Sequence, residues 1–270
     1  VTMYGVEHSG VVTCHEVFYS RGSFQMVLEY MDGGSLLDAL RRSRDQGGHH
    51  GLSASALTVI GYSVAGALQM LHDVLEVVHR DVKPGNILLT SRGQVKLADL
   101  GICTHPGSVQ DGEGDASSGG AECCETPATE WIGTLTYMSP ERLVGDAYSF
   151  NADIWSLGIV LVEAAIGHYP LAGADEGASL QFWDLLDRVL SEPCPSHQMR
   201  GLGAEWEGVR TIAEACLDKD PKERPRARDL KRNAVLQSGE SAVLAEWVCR
   251  HLPFEKAGKS EPLKESEMWA

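Results

Sequence analysis

The chain has 270 residues, of which 43% are hydrophobic and 23% charged, and a formal charge of −15. Such a chain can bury a sizeable core, and its acidic balance argues against a nucleic-acid surface or one facing anionic lipid, both of which would repel it. Its 7 cysteines, odd in number and irregular in spacing, give neither a disulfide framework nor paired metal knuckles.

In chain order, Val11 to Tyr19 and Phe24 to Tyr30 read as two strands joined hairpin-fashion through Ser20-Arg21-Gly22-Ser23. Met31-Asp32-Gly33-Gly34-Ser35 reads as a turn whose Ser35 caps a helix through Leu36, Leu37 and Leu40. Gln46 to Gly51 is a polar loop in which His49 and His50 are expected to be solvated. Leu57, Ile60, Val64, Leu68 and Leu71 recur at helical spacing and predict a long helix from Ser53 to about Leu75. Two short apolar runs, Ile87-Leu88-Leu89 and Val95-Lys96-Leu97, flank Ser91-Arg92-Gly93 as a small hairpin. Thr104 to Thr126 is so rich in Gly, Ser and acidic residues that a disordered loop is expected, with Cys123 and Cys124 as exposed thiols. Beyond Pro140 the pattern is helical. Ala152 to Ile166 is apolar nearly all round, as in a buried central helix. Leu180 to Leu190, Trp206 to Leu217, Ala227 to Leu236 and Ala242 to Leu252 are more amphipathic, and the tail from Glu255 is expected to be loose. No apolar run is expected to be long enough to span a bilayer; the best, Ile154 to Val162, runs into Glu163. With no secretory signal visible, a soluble cytoplasmic protein is expected.

The strongest chemical signal is His79-Arg80-Asp81-Val82-Lys83-Pro84-Gly85-Asn86, placed between a helix and a hairpin. It fits a loop for phosphoryl transfer, which needs a base to orient a hydroxyl, cations to neutralise phosphate and ligands for those cations. Asp81 supplies the carboxylate, Lys83 a positive charge for the transferred phosphate, and Asn86 a neutral oxygen ligand for Mg²⁺. Asp99-Leu100-Gly101, directly behind the second hairpin strand, is a carboxylate followed by glycine, which lets the chain turn while the oxygen faces a metal. Further on come Gly133-Thr134-Leu135-Thr136-Tyr137-Met138-Ser139-Pro140-Glu141 and Asp153-Ile154-Trp155-Ser156-Leu157-Gly158.

With these motifs in place the chain resembles a eukaryotic protein kinase from the end of helix C through helix I. It is similar in particular to the MAP kinase kinases, through Tyr30-Met31-Asp32-Gly33-Gly34-Ser35-Leu36, Ser139-Pro140-Glu141-Arg142-Leu143, Gly167-His168-Tyr169-Pro170, Phe182 to Pro195 and Leu244-Ala245-Glu246-Trp247-Val248-Cys249. The resemblance implies an α+β, protein-kinase-like fold: a residual N-lobe over residues 1–30, a mainly helical C-lobe over 31–253 and a tail over 254–270. Residues 99–141 would be the activation segment, with an acidic insertion at about 105–128. ATP and Mg²⁺ are the implied cofactors. The implied substrate is a protein phosphorylated on Ser, Thr and Tyr, namely a MAP kinase, and an upstream kinase is the implied activator. Leu28 would be the gatekeeper, Glu29 and Met31 would meet adenine through their backbones, Leu88 would lie beneath the base, and Asp99 would bind metal with Asn86. Thr134 would brace Lys83 beside Asp81. Arg80 would pair with a phosphorylated residue, for which Thr126 and Thr129 are candidates, Thr129 the better one. Glu141 would pair with Arg224, and Asp153 would accept catalytic-loop N–H groups.

The chain departs from the pattern at its start. No glycine-rich loop precedes Val11 and no lysine precedes Lys83, so the chain is expected to be N-terminally incomplete, to bind Mg-ATP weakly and to turn over little. Its first two strands should be poorly supported. Leu100 stands where the family has Phe and still fills an apolar slot. Two other readings stand beside the leading one: a Ser/Thr kinase of another group, and an inactive truncated kinase acting as a binding module.

Overall fold

The computed structural model describes residues 8–20, 22–45, 51–100, 135–172 and 182–251. The two expected strands are present as β1 (Cys14–Ser20) and β2 (Ser23–Leu28), antiparallel, with Cys14 opposite Leu28 and Ser20 opposite Ser23. Among the described residues they form a two-stranded sheet of their own. The segment before β1 fastens them to the main body: Val12 N–H donates to the Leu97 carbonyl at 3.0 Å, and Leu97 N–H to the Gly10 carbonyl at 2.8 Å.

The glycine turn after the second strand is more than a turn. Gly34 and Ser35 form β3, paired antiparallel with β4 (Ile87–Leu89), which pairs in turn with β5 (Val95–Leu97). Gly33 N–H donates to the Leu89 carbonyl at 2.9 Å, and a β-carbon on Gly33 would lie 2.7 Å from that same oxygen. Gly34 has φ +72°, which a side chain would resist. Asp32 locks the arrangement by accepting from the Ser91 amide at 2.8 Å and the Ser91 hydroxyl at 2.6 Å. Ser35 caps α1 (Leu36–Asp45) as expected, accepting from Asp38 N–H at 3.1 Å.

Ser53 caps α2 (Ala54–Gln69), which widens into a π-helical turn over Met70–Val74. The combined stretch, Ala54–Val74, is long and apolar enough to cross a membrane by length and composition, which corrects the expectation that no apolar run is long enough. Within the fold 72% of its most apolar window is buried, so here it is a core helix. It packs against α4 (Asn151–Ile166), α7 (Ala227–Arg232), α8 (Ala234–Gln237) and α9 (Ser241–Arg250). Helix α4 is buried along 14 of its 16 residues, as its unbroken apolar composition demands. It meets α6 (Glu207–Cys216) so closely that a β-carbon on Gly158 would stand 2.8 Å from Leu217.

Three differences from the sequence expectation have local causes. The helix expected over Ala227 to Leu236 breaks at Asn233, whose backbone is extended and whose side chain accepts from Val235 N–H, capping α8. A short helix α3 (Pro140–Leu143) and a 3₁₀ stretch over Pro195–Gly201 each begin at a proline, which presets the first helical φ. Neither has the repeat length on which periodicity depends. The helix expected from Leu180 is α5 (Phe182–Ser191) among the described residues.

Candidate active site

The loop between the π-helical turn and β4 gathers Asp81, Lys83 and Asn86. The Lys83 ammonium lies 2.7 Å from Asp81 Oδ2, and the Asn86 side-chain amide donates to the same oxygen at 2.7 Å and to the Asp81 carbonyl at 2.9 Å. Asp81 is buried, and both donors meet it at the one oxygen Oδ2, as charge-assisted hydrogen bonds to a carboxylate do. Pro84 opens the 3₁₀ turn that brings Asn86 back over Asp81.

His79, fully buried, ties this loop to the metal-binding candidate. Its Nδ1 accepts from Asp81 N–H at 3.2 Å, and its Nε2 faces the Ala98 carbonyl at 3.1 Å. One neutral tautomer serves both contacts, accepting at Nδ1 and donating at Nε2. Burial lowers the His79 pKa, with Asp153 and the Ala98 carbonyl pulling the other way. Ala98 N–H donates to the Asn86 carbonyl at 2.8 Å, so Asp99 follows directly on a residue clamped to Asn86 and His79. Asp99 is exposed with φ +59°, a left-handed conformation uncommon outside glycine. Asn86 and Asp99 offer hard oxygen donors, the set that suits Mg²⁺ shared with phosphate. Among the described residues no group of three or more His, Cys, Asp or Glu could hold a metal ion.

At the other side of β5 the expected hinge is anchored through a side chain. The Glu29 carboxylate lies 2.7 Å from Lys96 Nζ and accepts from Thr13 N–H at 3.2 Å. Burial alone would raise the Glu29 pKa, but the Lys96 and Thr13 hydrogen bonds outweigh it and hold it low. Glu29 N–H donates to the Thr13 carbonyl at 2.9 Å, and the Met31 carbonyl accepts from Gly34 N–H at 3.1 Å. Met31 is buried, Leu88 half-buried on β4, and Leu28 exposed at the end of β2.

Buried polar contacts hold the loop from below. Asp153 on α4 accepts from the amides of His79 and Arg80, both at 2.8 Å, and faces His72 Nε2 at 2.8 Å. Burial opposes its charge, yet the bonds from His72 and the loop outweigh burial and keep its pKa low. Glu141 and Arg224 form a two-pronged pair, both bonds 2.8 Å, with the Arg224 side chain fully buried. Arg224 also reaches the Asp218 and Asn151 carbonyls. Tyr137 donates to Glu163 at 2.6 Å, Tyr169 to the Thr136 carbonyl, and Ser156 to the Tyr137 carbonyl at 2.7 Å, so the segment before α3 is laced onto α4. Burial raises the Glu163 pKa, and burial followed by the Glu163 charge raises that of Tyr137 well above ordinary.

Arg80 lies half-buried with φ +72°. Thr126 and Thr129, the candidates to pair with it when phosphorylated, and Thr134, expected to brace Lys83, fall outside the described residues, as do Gly101 and the acidic insertion. The bridging of His79, the Glu29–Lys96 pair and the buried His72 were not read from the sequence. Each joins residues far apart along the chain, and only the Lys96 alternation across β5 hinted at one of them. A surface cleft of about 250 Å³ between Met199 and Arg210 holds none of the predicted site residues.

The protein kinase domain family matches residues 2–236. The chain belongs to the protein kinase family. It is 34% identical over 232 residues to mitogen-activated protein kinase kinase 1c of Physcomitrium patens, covering 84% of this chain and 59% of that one. It is 36% identical over 235 residues to mitogen-activated protein kinase kinase 3 of Arabidopsis thaliana, covering 86% of this chain and 40% of the relative. It is 32% identical over 262 residues to the dual specificity mitogen-activated protein kinase kinase dSOR1 of Drosophila melanogaster, covering 89% and 60%. This protein kinase thus spans about 60% or less of the length of these relatives, and its similarity within the family is to MAP kinase kinases.

Proposed function

We propose that this chain is the catalytic lobe of an ATP- and Mg²⁺-dependent kinase of MAP kinase kinase type, phosphorylating Ser or Thr, and Tyr, on the activation loop of a MAP kinase. The observation that carries the reading is the Asp81 carboxylate held at 2.7 Å by both Lys83 and Asn86, in a loop whose backbone is pinned by Asp153 and His79. In the reaction the substrate hydroxyl oxygen bonds to the γ-phosphorus of ATP while the bond to the β–γ bridging oxygen breaks, and ADP leaves. Asp81 orients that hydroxyl and receives its proton. Lys83 places its charge against the moving phosphoryl group, as electrostatic stabilisation of this transfer requires. The Glu29 carbonyl and the Met31 N–H are the backbone groups for adenine, with Leu28 behind and Leu88 below. Asn86 and Asp99 would hold Mg²⁺, which when bound neutralises charge between the phosphates. Arg80 receives an activating phosphate on Thr129 or Thr126 placed there by an upstream kinase, and Thr134 braces Lys83.

The test is transfer of labelled γ-phosphate to a purified, inactive MAP kinase. Asp81→Asn is expected to lower kcat by at least about 100-fold, and transfer that survives it overturns the reading. The second reading is a binding module without turnover. If Mg-ATP leaves the melting temperature unmoved at millimolar concentration, the second reading replaces the first.

A further inference from the structure

We propose that Arg142 is a positioning residue for Asp81, acting through the main chain of Arg80, with the Tyr148 ring as its platform; the proposal rests on the reading of Asp81 as the catalytic carboxylate. Arg142 sits in α3, directly after the Glu141 that Arg224 anchors. One of its guanidinium nitrogens donates to the Arg80 carbonyl at 2.9 Å. Its guanidinium carbon lies 5.1 Å from the Tyr148 ring centroid, and that of Arg80 lies 5.7 Å from the same centroid. One aromatic ring therefore steadies both cations.

The Arg80 carbonyl belongs to the peptide plane whose N–H is that of Asp81. That N–H is held by His79 Nδ1 at 3.2 Å, so Arg142 fixes the oxygen edge of the plane and His79 the nitrogen edge. A planar peptide gripped at both edges cannot rotate, and its rotation is the motion that would swing the Asp81 side chain. The grip has strain to contain. Arg80 has φ +72°, a conformation that a non-glycine residue keeps only where its surroundings over-determine it. Asp153 holds the preceding side through the His79 and Arg80 amides, and Arg142 is the contact on the following side. Because Glu141 and Arg142 are neighbours, the anchor of α3 and the orientation of Asp81 become one mechanical unit. The position of the segment that leads into α3 is thereby passed to the catalytic carboxylate.

The experiment compares Arg142→Met, Arg142→Lys and Tyr148→Leu with the parent chain, by amide hydrogen exchange of residues 79–86 and by steady-state kinetics in the transfer assay. Arg142→Met is expected to speed exchange of the Asp81 amide and to lower kcat about tenfold, with the KM for ATP within about twofold, the signature of a misplaced reacting group. Arg142→Lys, which keeps a donor, should recover the larger part of kcat, and Tyr148→Leu should fall between. Should Arg142→Met fail to fold, Arg142→Lys and Tyr148→Leu carry the same comparison. Unchanged exchange and kcat in variants with parental melting temperatures overturn the positioning role. Exchange is read whether or not phosphate moves, so a parent chain without Asp81-dependent transfer overturns the kinase reading and leaves the role of Arg142 decided by exchange.

Discussion

The β1–β2 hairpin and helix α4 are both rich in apolar residues, and they end in opposite environments. In the hairpin Tyr19, Phe24 and Met26 are 65%, 79% and 65% exposed, whereas Leu157, Ile159 and Val160 of α4 are at 0%. Side-chain chemistry does not separate the two regions; the number of layers packed on each does. Among the described residues the two strands pair only with each other and lack a second layer against their faces, while α4 is enclosed by α2, α6 and the Pro195–Gly201 stretch. Apolar content states what a segment can bury, and a second layer decides whether it does.

The comparison is broken most severely by removing one partner of the buried pair under the catalytic segment. Glu141→Ala leaves the fully buried Arg224 without its carboxylate partner and is expected to cost about 3–5 kcal/mol in denaturant unfolding; a cost near zero would mean that the helical lobe tolerates the loss as a surface does. Leu57→Ala, at a wholly buried position of α2, is expected to cost about 2–5 kcal/mol by the same measurement.

Acid should sharpen the contrast further. Asp153 and Glu141 have pKa values below their ordinary 3.8 and 4.5, burial being outweighed by His72 and by Arg224 respectively. Their stabilisation is therefore fully present above those ordinary values and is lost as the pH falls through the lower values of the folded state. A stability profile across the acid range should drop there, and more shallowly in Glu141→Gln; equal slopes would remove Glu141 from the account. The smallest effect belongs to the hairpin, where Phe24→Ser should change stability by no more than about 0.5 kcal/mol. Its amides, away from the fastening at Gly10 and Val12, should exchange long before those of α4.

Much of the site was legible because phosphoryl transfer uses short stretches of consecutive residues. His79 to Asn86 and Asp99-Leu100-Gly101 carry their chemistry in local order, and the folded loop brings Asp81, Lys83 and Asn86 within 2.7 Å contacts. The helices with long apolar periods, α2 and α4, were legible for a related reason: their burial is written in a repeat that one helix displays by itself. The brief elements were not. Gly34 and Ser35 read as a turn because two residues carry no period, and β3 exists only because Leu89 offers its carbonyl to Gly33.

The amino-acid sequence alone determined the family, the helical pattern and the loop that holds Asp81, since each depends on residues near one another in the chain. The family resemblance implied that Asp153, 74 residues away, accepts from this loop, and the tertiary structure alone decided the rest of how it is held. Arg142 comes to it from 62 residues away, and the Glu29–Lys96 pair beside it spans 67 residues. A hydrogen bond depends on separation in space, and no pattern along the chain encodes which distant donor the folded core will deliver.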